Sequence, residues 1–250
     1  MTGAANPYRW VKVANRAGVL KVTLNRPDSL NAITPDMHTE LVRLWSEIAA
    51  DEETRVVLLT GAGRAFCAGA DMKGPPRSGE ERLASLERQR QLVAAMMNLD
   101  KPIVSAVRGA AIGSGLALAL MADIVVVARD AKLSDANVRL GVASGDHAVW
   151  TWPLLCGMAK AKHLLLTGKM FSGEEAERIG LASVAVPAEE VDTVADEIAA
   201  ELARGHQDAI RWTKRALNGW LRLGQPAYDA SVAYAMVGML ANPMKGNEES

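Results

Sequence analysis

The 250-residue chain has only two cysteines, four histidines and almost no net charge, a formal −1 at neutral pH. Two cysteines, Cys67 and Cys156, do not make a disulfide-stapled scaffold, and both read as small buried apolar residues. His38, His147, His163 and His206 are scattered, with no paired His/Cys spacing, so no metal site is expected. The balanced charge argues against a nucleic-acid or membrane surface. No apolar run reaches membrane-spanning length; Ile112 to Ala122 is too short and sits among glycines. The start, MTGAANPYRW, lacks the charged and apolar regions of a signal peptide, which points to the cytoplasm. Phosphate and dinucleotide motifs are missing too. There is no GxxxxGK[ST], and Gly61-Ala62-Gly63 runs on to Cys67 without the third glycine of a dinucleotide fingerprint. Ser114 is flanked directly by Gly113 and Gly115, whereas a nucleophile elbow needs its glycines two residues away, where Ile112 and Leu116 stand.

What is present is an ordinary globular composition, 49% apolar and 23% charged, with apolar strands that lead into glycine-rich loops. Val56 to Leu59 reads as a buried strand and runs into Thr60 to Lys73 (TGAGRAFCAGADMK). Ile103 to Val107, opened by Pro102, runs into Arg108 to Ala117 (RGAAIGSGLA). Small residues let a backbone come close to a ligand, and exposed N–H groups there hold an oxygen that gains charge. Two such loops suggest a pair of N–H donors meeting at one point.

Around them, Trp10 to Val13 and Val19 to Leu24 read as two strands joined at Arg16-Ala17-Gly18. Thr34 and Pro35 start a helix carrying Met37, Leu41, Leu44, Trp45 and Ile48. Gly74 to Gly79 reads as a mobile, breaker-rich loop before a helix over Glu81 to Leu99. Leu116 to Met121 is a helix apolar all round, and Ile124 to Ala128 is a buried strand. Leu140 to His147 is a loop before helical stretches at Trp150 to Leu155 and Lys160 to Leu166. Ser172 to Glu175 forms a capping box, and Val184 to Val186 is a last strand. After Pro187 everything reads as helix, with Val191, Val194, Ile198 and Leu202 on one stripe. The chain therefore reads as an α/β core over residues 1–187 and a helical arm over 188–250.

Four stretches, LNRPDSLNAI (Leu24 to Ile33), RVVLLTGAGRAFCAGADM (Arg55 to Met72), KPIVSAVRGAAIGSGLALALMADI (Lys101 to Ile124) and LLLTGKMFSGEEAERIGLASVAV (Leu164 to Val186), resemble the crotonase superfamily, the enoyl-CoA hydratase/isomerase group. The resemblance implies a spiral of ββα turns with a helical C-terminal trimerisation arm. It implies CoA-thioester substrates, no further cofactor, and a homotrimer or dimer of trimers. It also implies an oxyanion hole from the N–H groups of Ala70 and Ser114, each worth roughly 3 kcal/mol of barrier. The dipole of the helix that follows Ser114 adds to it. The family usually has glycine where Ser114 stands, and serine keeps the donor provided the turn does not need φ > 0. Ala68, Ala70 and Met72 are implied to line the CoA adenine pocket and Lys73 to pair with a CoA phosphate, with Arg26, Ala32, Asp71 and Gly113 completing the binding set.

The departures concern proton transfer. Hydratases of the family carry two glutamates, and the positions here hold Ala117 and Asn137. Neither is a general base near pH 7, so two-carboxylate hydration has no reagents at those positions, and the single carboxylate that the family's isomerase variant keeps at the second position is missing there too. Asp146, in the Gly141 to His147 loop, is a candidate base or nucleophile, or else a helix cap. Asp135 shares a strand face with Asn137 in this reading, or simply bonds backbone in a turn. His147 points away from Asp146 on an extended backbone. In the resembling dehalogenase branch the nucleophilic aspartate falls where this chain has Gly145. Trp150, Trp152 and Cys67 read as packing. Three functions stay open: an acyl-CoA hydratase or isomerase, a thioester hydrolase or dehalogenase-like enzyme using Asp146, and a non-catalytic acyl-CoA binder.

Overall fold

The computed structural model describes residues 6–73, 78–145 and 147–241. Its centre is a six-stranded sheet in the order β1-β2-β3-β4-β6-β9. Strands β1 (Val11–Arg16) and β2 (Val19–Leu24) pair antiparallel across Ala17 and Gly18, both at positive φ. From β2 outward every pairing is parallel, through β3 (Val56–Gly61), β4 (Ile103–Val107), β6 (Ile124–Ala128) and β9 (Val184–Val186). The central strands β3 and β4 are buried at every residue, which explains their unbroken Val/Ile/Leu runs: a parallel sheet is covered on both faces. A smaller sheet, β5 (Ala110–Ile112), β7 (Lys132–Ser134) and β8 (Phe171–Ser172), stands beside it.

The helices are α1 (Pro35–Ala50), α2 (Gly79–Asn98), α3 (Ser114–Leu120), α4 (Ala148–Thr167), α5 (Gly173–Arg178), α6 (Val191–Arg204), α7 (Gln207–Leu223) and α8 (Gln225–Ala241). Thr34 caps α1, accepting from the Met37 N–H, with Pro35 in the first turn. The expected Gly74 to Gly79 loop falls partly on residues 74–77, outside the described residues. Its end is ordered: Ser78 and Glu81 form a full capping box for α2. At Ser172 only half of the expected box forms. Ser172 accepts from the Glu175 N–H, but the Glu175 carboxylate pairs with Arg178 instead of reaching back. The two helical stretches expected within α4 are two helices, broken at Gly157, whose φ of 76° and ψ of 155° are not helical.

One large cluster fills the space between the sheet and α1, α3, α5 and α6 and takes in Trp45, Phe66 and Trp152. Helix α6 belongs to it through Val191, Ala195, Ala199 and Ala203, with Val194, Ile198 and Leu202 alongside. A second, small cluster of Val93, Met97, Trp150, Tyr228 and Val232 fastens α8 to α2 and α4. Helix α7 is tied down by Lys214, whose ammonium donates to Asp123 at 2.7 Å and to the Lys101 carbonyl at 2.9 Å. Both cysteines are free thiols, and burial pushes Cys67 up to about 12, which keeps it protonated and inert.

Candidate active site

Strands β2, β3 and β4 are parallel neighbours, so their C-terminal ends lie on one edge. The loops that leave them, residues 25–33, 62–73 and 108–113, must meet there, as ligand-binding loops of parallel sheets do. Asn31 ties the first to the second. Its buried amide donates to the carbonyls of Ala62, Ala65 and Phe66 at 2.9 to 3.1 Å. The second is stitched to the third by Cys67 N–H to Ala110 carbonyl and Ile112 N–H to Cys67 carbonyl, both 3.0 Å.

At the seam the glycines are there for close approach. A Cβ on Gly69, at φ +90°, would lie 2.6 Å from the Ile112 carbonyl oxygen and 3.8 Å from the Ser114 nitrogen. A Cβ on Gly115 would lie 2.3 Å from the Cys67 carbonyl oxygen. The Ile33 N–H donates to Gly69 at 2.8 Å and the Asp71 N–H to Ile33 at 3.0 Å. In that parallel bridge the N–H of the residue between, Ala70, is turned to the opposite side. Among the described residues neither the Ala70 nor the Ser114 N–H has an intramolecular acceptor. The positive φ of this turn falls on Gly113, at 51°, and not on Ser114, which begins α3 with ordinary helical geometry. That is why serine is tolerated where the family has glycine.

Both residues line a cavity of about 470 Å³ whose surface is mostly apolar. Of the sequence-predicted binding residues, Ala68, Ala70, Met72, Gly113, Ser114 and Asn137 line it. Arg26, Ala32, Asp71 and Lys73 do not. Arg26 is a clip behind the wall: it pairs with Asp71 at 3.0 Å and also donates to the Ala32 carbonyl. Burial pushes the Asp71 carboxyl up, but the Lys73 N–H and the Arg26 guanidinium outweigh it and hold Asp71 below the usual carboxylate range. Ala117 is buried within α3 and is not in the cavity lining.

Asp135 and Asn137 both line the cavity, but not as neighbours on one strand face. β7 ends at Ser134, Ala136 takes φ +60°, and Asn137 opens a short 3-10 turn. The alternative turn reading is the one seen: Asp135 Oδ1 accepts from the Asn137 N–H at 3.3 Å. Its Oδ2 accepts from Asn137 Nδ2 at 3.1 Å and from the Ser144 hydroxyl at 3.0 Å. Asp135 is only 3% exposed and is the sole carboxylate among the described residues of the lining. With three donors on some four lone pairs, one acceptor position is left. Asp146 lies outside the described residues. A Cβ at Gly145 would meet the Ala235 Cβ at 2.3 Å, so a side chain there, as in the dehalogenase pattern, has no room.

Sequence reasoning did not find the far wall. Ser85, Leu86 and Gln89 of α2 and Ala235 and Met239 of α8 line the cavity, as does His38 of α1. His38 carries a signal, a buried histidine on an otherwise apolar helix face, but α8 lies more than 100 residues away in the chain. Trp150 and Trp152 are packing, as expected: Trp152 is T-shaped against Phe171 in the main core, and Trp150 stacks near Tyr228 in the small cluster. Among the described residues no group of His, Cys, Asp or Glu could hold a metal ion, and no helix is long and apolar enough to cross a membrane.

Two loops that bring N–H groups without an intramolecular acceptor to an apolar cavity have the geometry to hold a carbonyl oxygen that gains negative charge. The chain belongs to the enoyl-CoA hydratase/isomerase family, whose model matches residues 14–237. It is 36% identical over 206 residues to a 1,2-epoxyphenylacetyl-CoA isomerase of Escherichia coli, covering 80% of this chain and 79% of that protein. It is 35% identical over 199 residues to an (E)-benzylidenesuccinyl-CoA hydratase of Thauera aromatica, covering 79% and 78%. A crystal structure of an enoyl-CoA hydratase/isomerase from Mycobacterium paratuberculosis superposes with a TM-score of 0.87 at 33% identity, over 92% of this chain and 94% of that one. The spiral α/β fold with its C-terminal helices is therefore the crotonase fold, and the chain acts on CoA thioesters as its family does.

Proposed function

We propose that this protein catalyses proton transfer next to the thioester carbonyl of an acyl-CoA, as in double-bond isomerisation, in preference to hydration. The observation that carries the reading is the pair of acceptor-less N–H groups at Ala70 and Ser114 facing one apolar cavity. Such donors stabilise an enolate oxygen more than the ground-state carbonyl. A carboxylate takes the proton from the α-carbon, and the C–H pair forms a bond to the carbonyl carbon while the carbonyl π pair moves to oxygen. Return of the proton to the γ-carbon restores the thioester and leaves the double bond conjugated. This needs one proton carrier, whereas hydration needs a group to activate water and one to deliver its proton. With Ala117 out of the lining and Asn137 an amide, one described carboxylate remains, Asp135. Asp146, which follows Gly145 of the same wall, is the second candidate carrier.

The test is to incubate the protein with a β,γ-enoyl-CoA and with crotonyl-CoA in D2O, following conjugation, α-carbon exchange and water addition. Exchange and conjugation are expected, with crotonyl-CoA hydration roughly 10² to 10⁴ slower than for an enzyme with both glutamates. Asp135→Asn and Asp146→Asn assign the carrier, since each exchange removes the base at almost unchanged side-chain size, and asparagine suits the Asp135 turn. Fast hydration without exchange would refute the isomerase reading. Binding with neither reaction would leave a non-catalytic acyl-CoA binder, and a trapped acyl-aspartate would favour the hydrolase or dehalogenase-like alternative.

For the arm we propose a homotrimer or a dimer of trimers. Trp212, Trp220 and Leu223 of α7 and Tyr234 and Val237 of α8 are each more than 60% exposed, an apolar surface of the kind subunits cover. Light scattering should give three or six times the chain mass; a monomer would overturn this.

A further inference from the structure

The far wall of the cavity comes from the last described helix, and its place relative to the N–H donors gives it a role. From Ser114 the wall can be followed outward by contacts. Gly113 precedes Ser114, and a Cβ there would lie 3.5 Å from the Asp135 carbonyl oxygen. The Asp135 carboxylate takes the Ser144 hydroxyl. Gly145 follows, and it abuts Ala235 of α8. One turn on, Met239 lines the same cavity, with its carbonyl held by Arg82 of α2 at 2.8 Å. Ala68 and Met72, on the loop that carries Ala70, line it from another stretch of chain. A thioester whose oxygen sits at Ala70 and Ser114, with its α-carbon at Asp135, therefore directs its acyl group toward α8.

That end is mostly hydrocarbon: Leu86, Leu140, Val142 and Ala143 stand with Ala235 and Met239 in the lining, and Ser85, Gln89 and Arg139 are its polar members. The two α8 residues are not equivalent. Ala235 is buried against Gly145 and has no slack. Met239 is half-buried and unbranched, so its thioether fills whatever space the acyl chain leaves.

We propose that Met239, backed by the Gly145–Ala235 contact, is the stop that sets acyl length at this site. This rests on the acyl-CoA reading above. The test is isothermal calorimetry of the full-length protein with saturated acyl-CoAs from acetyl to dodecanoyl, which bind without turning over. Each protein is normalised to its own acetyl-CoA affinity. Burial of each methylene should tighten binding about fourfold until the chain meets the wall, after which affinity stops rising. Met239→Ala should move that break to a chain longer by about two carbons, and Met239→Phe should move it to a shorter one. Melting curves check that both variants fold, and if the phenylalanine variant does not, the alanine variant decides alone. A break at the same length in wild type and Met239→Ala would overturn the proposal, as would an affinity that never rises with length. No binding of any acyl-CoA by the wild type would instead remove the acyl-CoA reading itself.

Discussion

Gly115→Ala separates backbone sterics from every other effect at the oxyanion site. Gly115 is the second residue of α3 and has no positive φ, so alanine suits its conformation and would gain about 1 kcal/mol of helix propensity. The adverse contribution is contact. The new methyl would lie 2.3 Å from the Cys67 carbonyl oxygen and 2.8 Å from its Cβ and Sγ, where ordinary contact begins at 3.4 Å. The thiol can rotate, but the carbonyl is held by the Ile112 N–H and cannot. The seam between the loops must open by about 1 Å, and the Ala70 and Ser114 donors move apart with it. Overpacking of this kind costs about 1 to 3 kcal/mol, so the net loss of stability should be roughly 0 to 2 kcal/mol, and turnover is the more decisive readout. Misplacement by about 1 Å at reacting groups costs on the order of 10²-fold in rate. Urea melts and kcat on a β,γ-enoyl-CoA read the two effects. Gly219→Ala in α7 is the control, since a Cβ there meets nothing within 4 Å and should stabilise by about 0.5 to 1 kcal/mol. Wild-type turnover and stability in Gly115→Ala would show that the loops do not close on each other as described.

Ser114→Pro removes one donor while suiting the first position of a helix, so it should fold and lose roughly 10² to 10³ in kcat, whereas Ser114→Gly should change kcat less than threefold; a large loss in the glycine variant would mean that the hydroxyl has a role. Lys214→Met breaks an ion pair in which Lys214 is 7% and Asp123 26% exposed, and urea melts should show a loss of about 3 kcal/mol, the low end for such pairs because Asp123 keeps the Ile103 N–H and some water. His147 is buried with neither ring nitrogen partnered among the described residues, and burial pushes its pKa down to about 3. The unfolded chain then binds the extra proton between its own pKa and that value, so stability is present above about pH 6.5 and falls by about 1.4 kcal/mol per unit toward pH 3. His147→Phe should remove that slope from melts across pH 4 to 7, and an unchanged slope would assign the acid sensitivity elsewhere.

The sheet could be read from the sequence because its strands are locally unambiguous. Val56 to Leu59, Ile103 to Val107 and Ile124 to Ala128 are apolar on both faces, as strands covered on both sides are, and their parallel pairing emerges only in the structure. The small sheet was not legible: β5 and β7 have three residues each and β8 two, too short for any period. Glycine spacing is local and pointed to a pair of donors on two loops, but their assignment to Ala70 and Ser114 came only with the family resemblance. Between the two readings open for Asp135, strand face or turn, the sequence could not choose, because Ala136 adopts a left-handed conformation that nothing in its side chain announces. Asn31 was quoted only as part of a motif, yet its amide holds three carbonyls. The α8 wall depends on tertiary packing across more than 100 residues and has no local signature.

The two groups proposed to meet the substrate oxygen belong to the main chain. Their presence is therefore insensitive to which residues occupy positions 70 and 114, proline excepted. What keeps them in place is the absence of side chains at Gly69 and Gly115. Genetic variation thus acts on the two halves of the chemistry separately. The anion-holding half is lost through additions at a few glycines and survives most exchanges elsewhere. The proton-handling half proposed for this site rests on single side chains, such as that of Asp135, and can be withdrawn, moved or replaced in one step. A lineage with this architecture can pass through a state that binds thioesters without turning them over and regain a different reaction, its scaffold intact throughout.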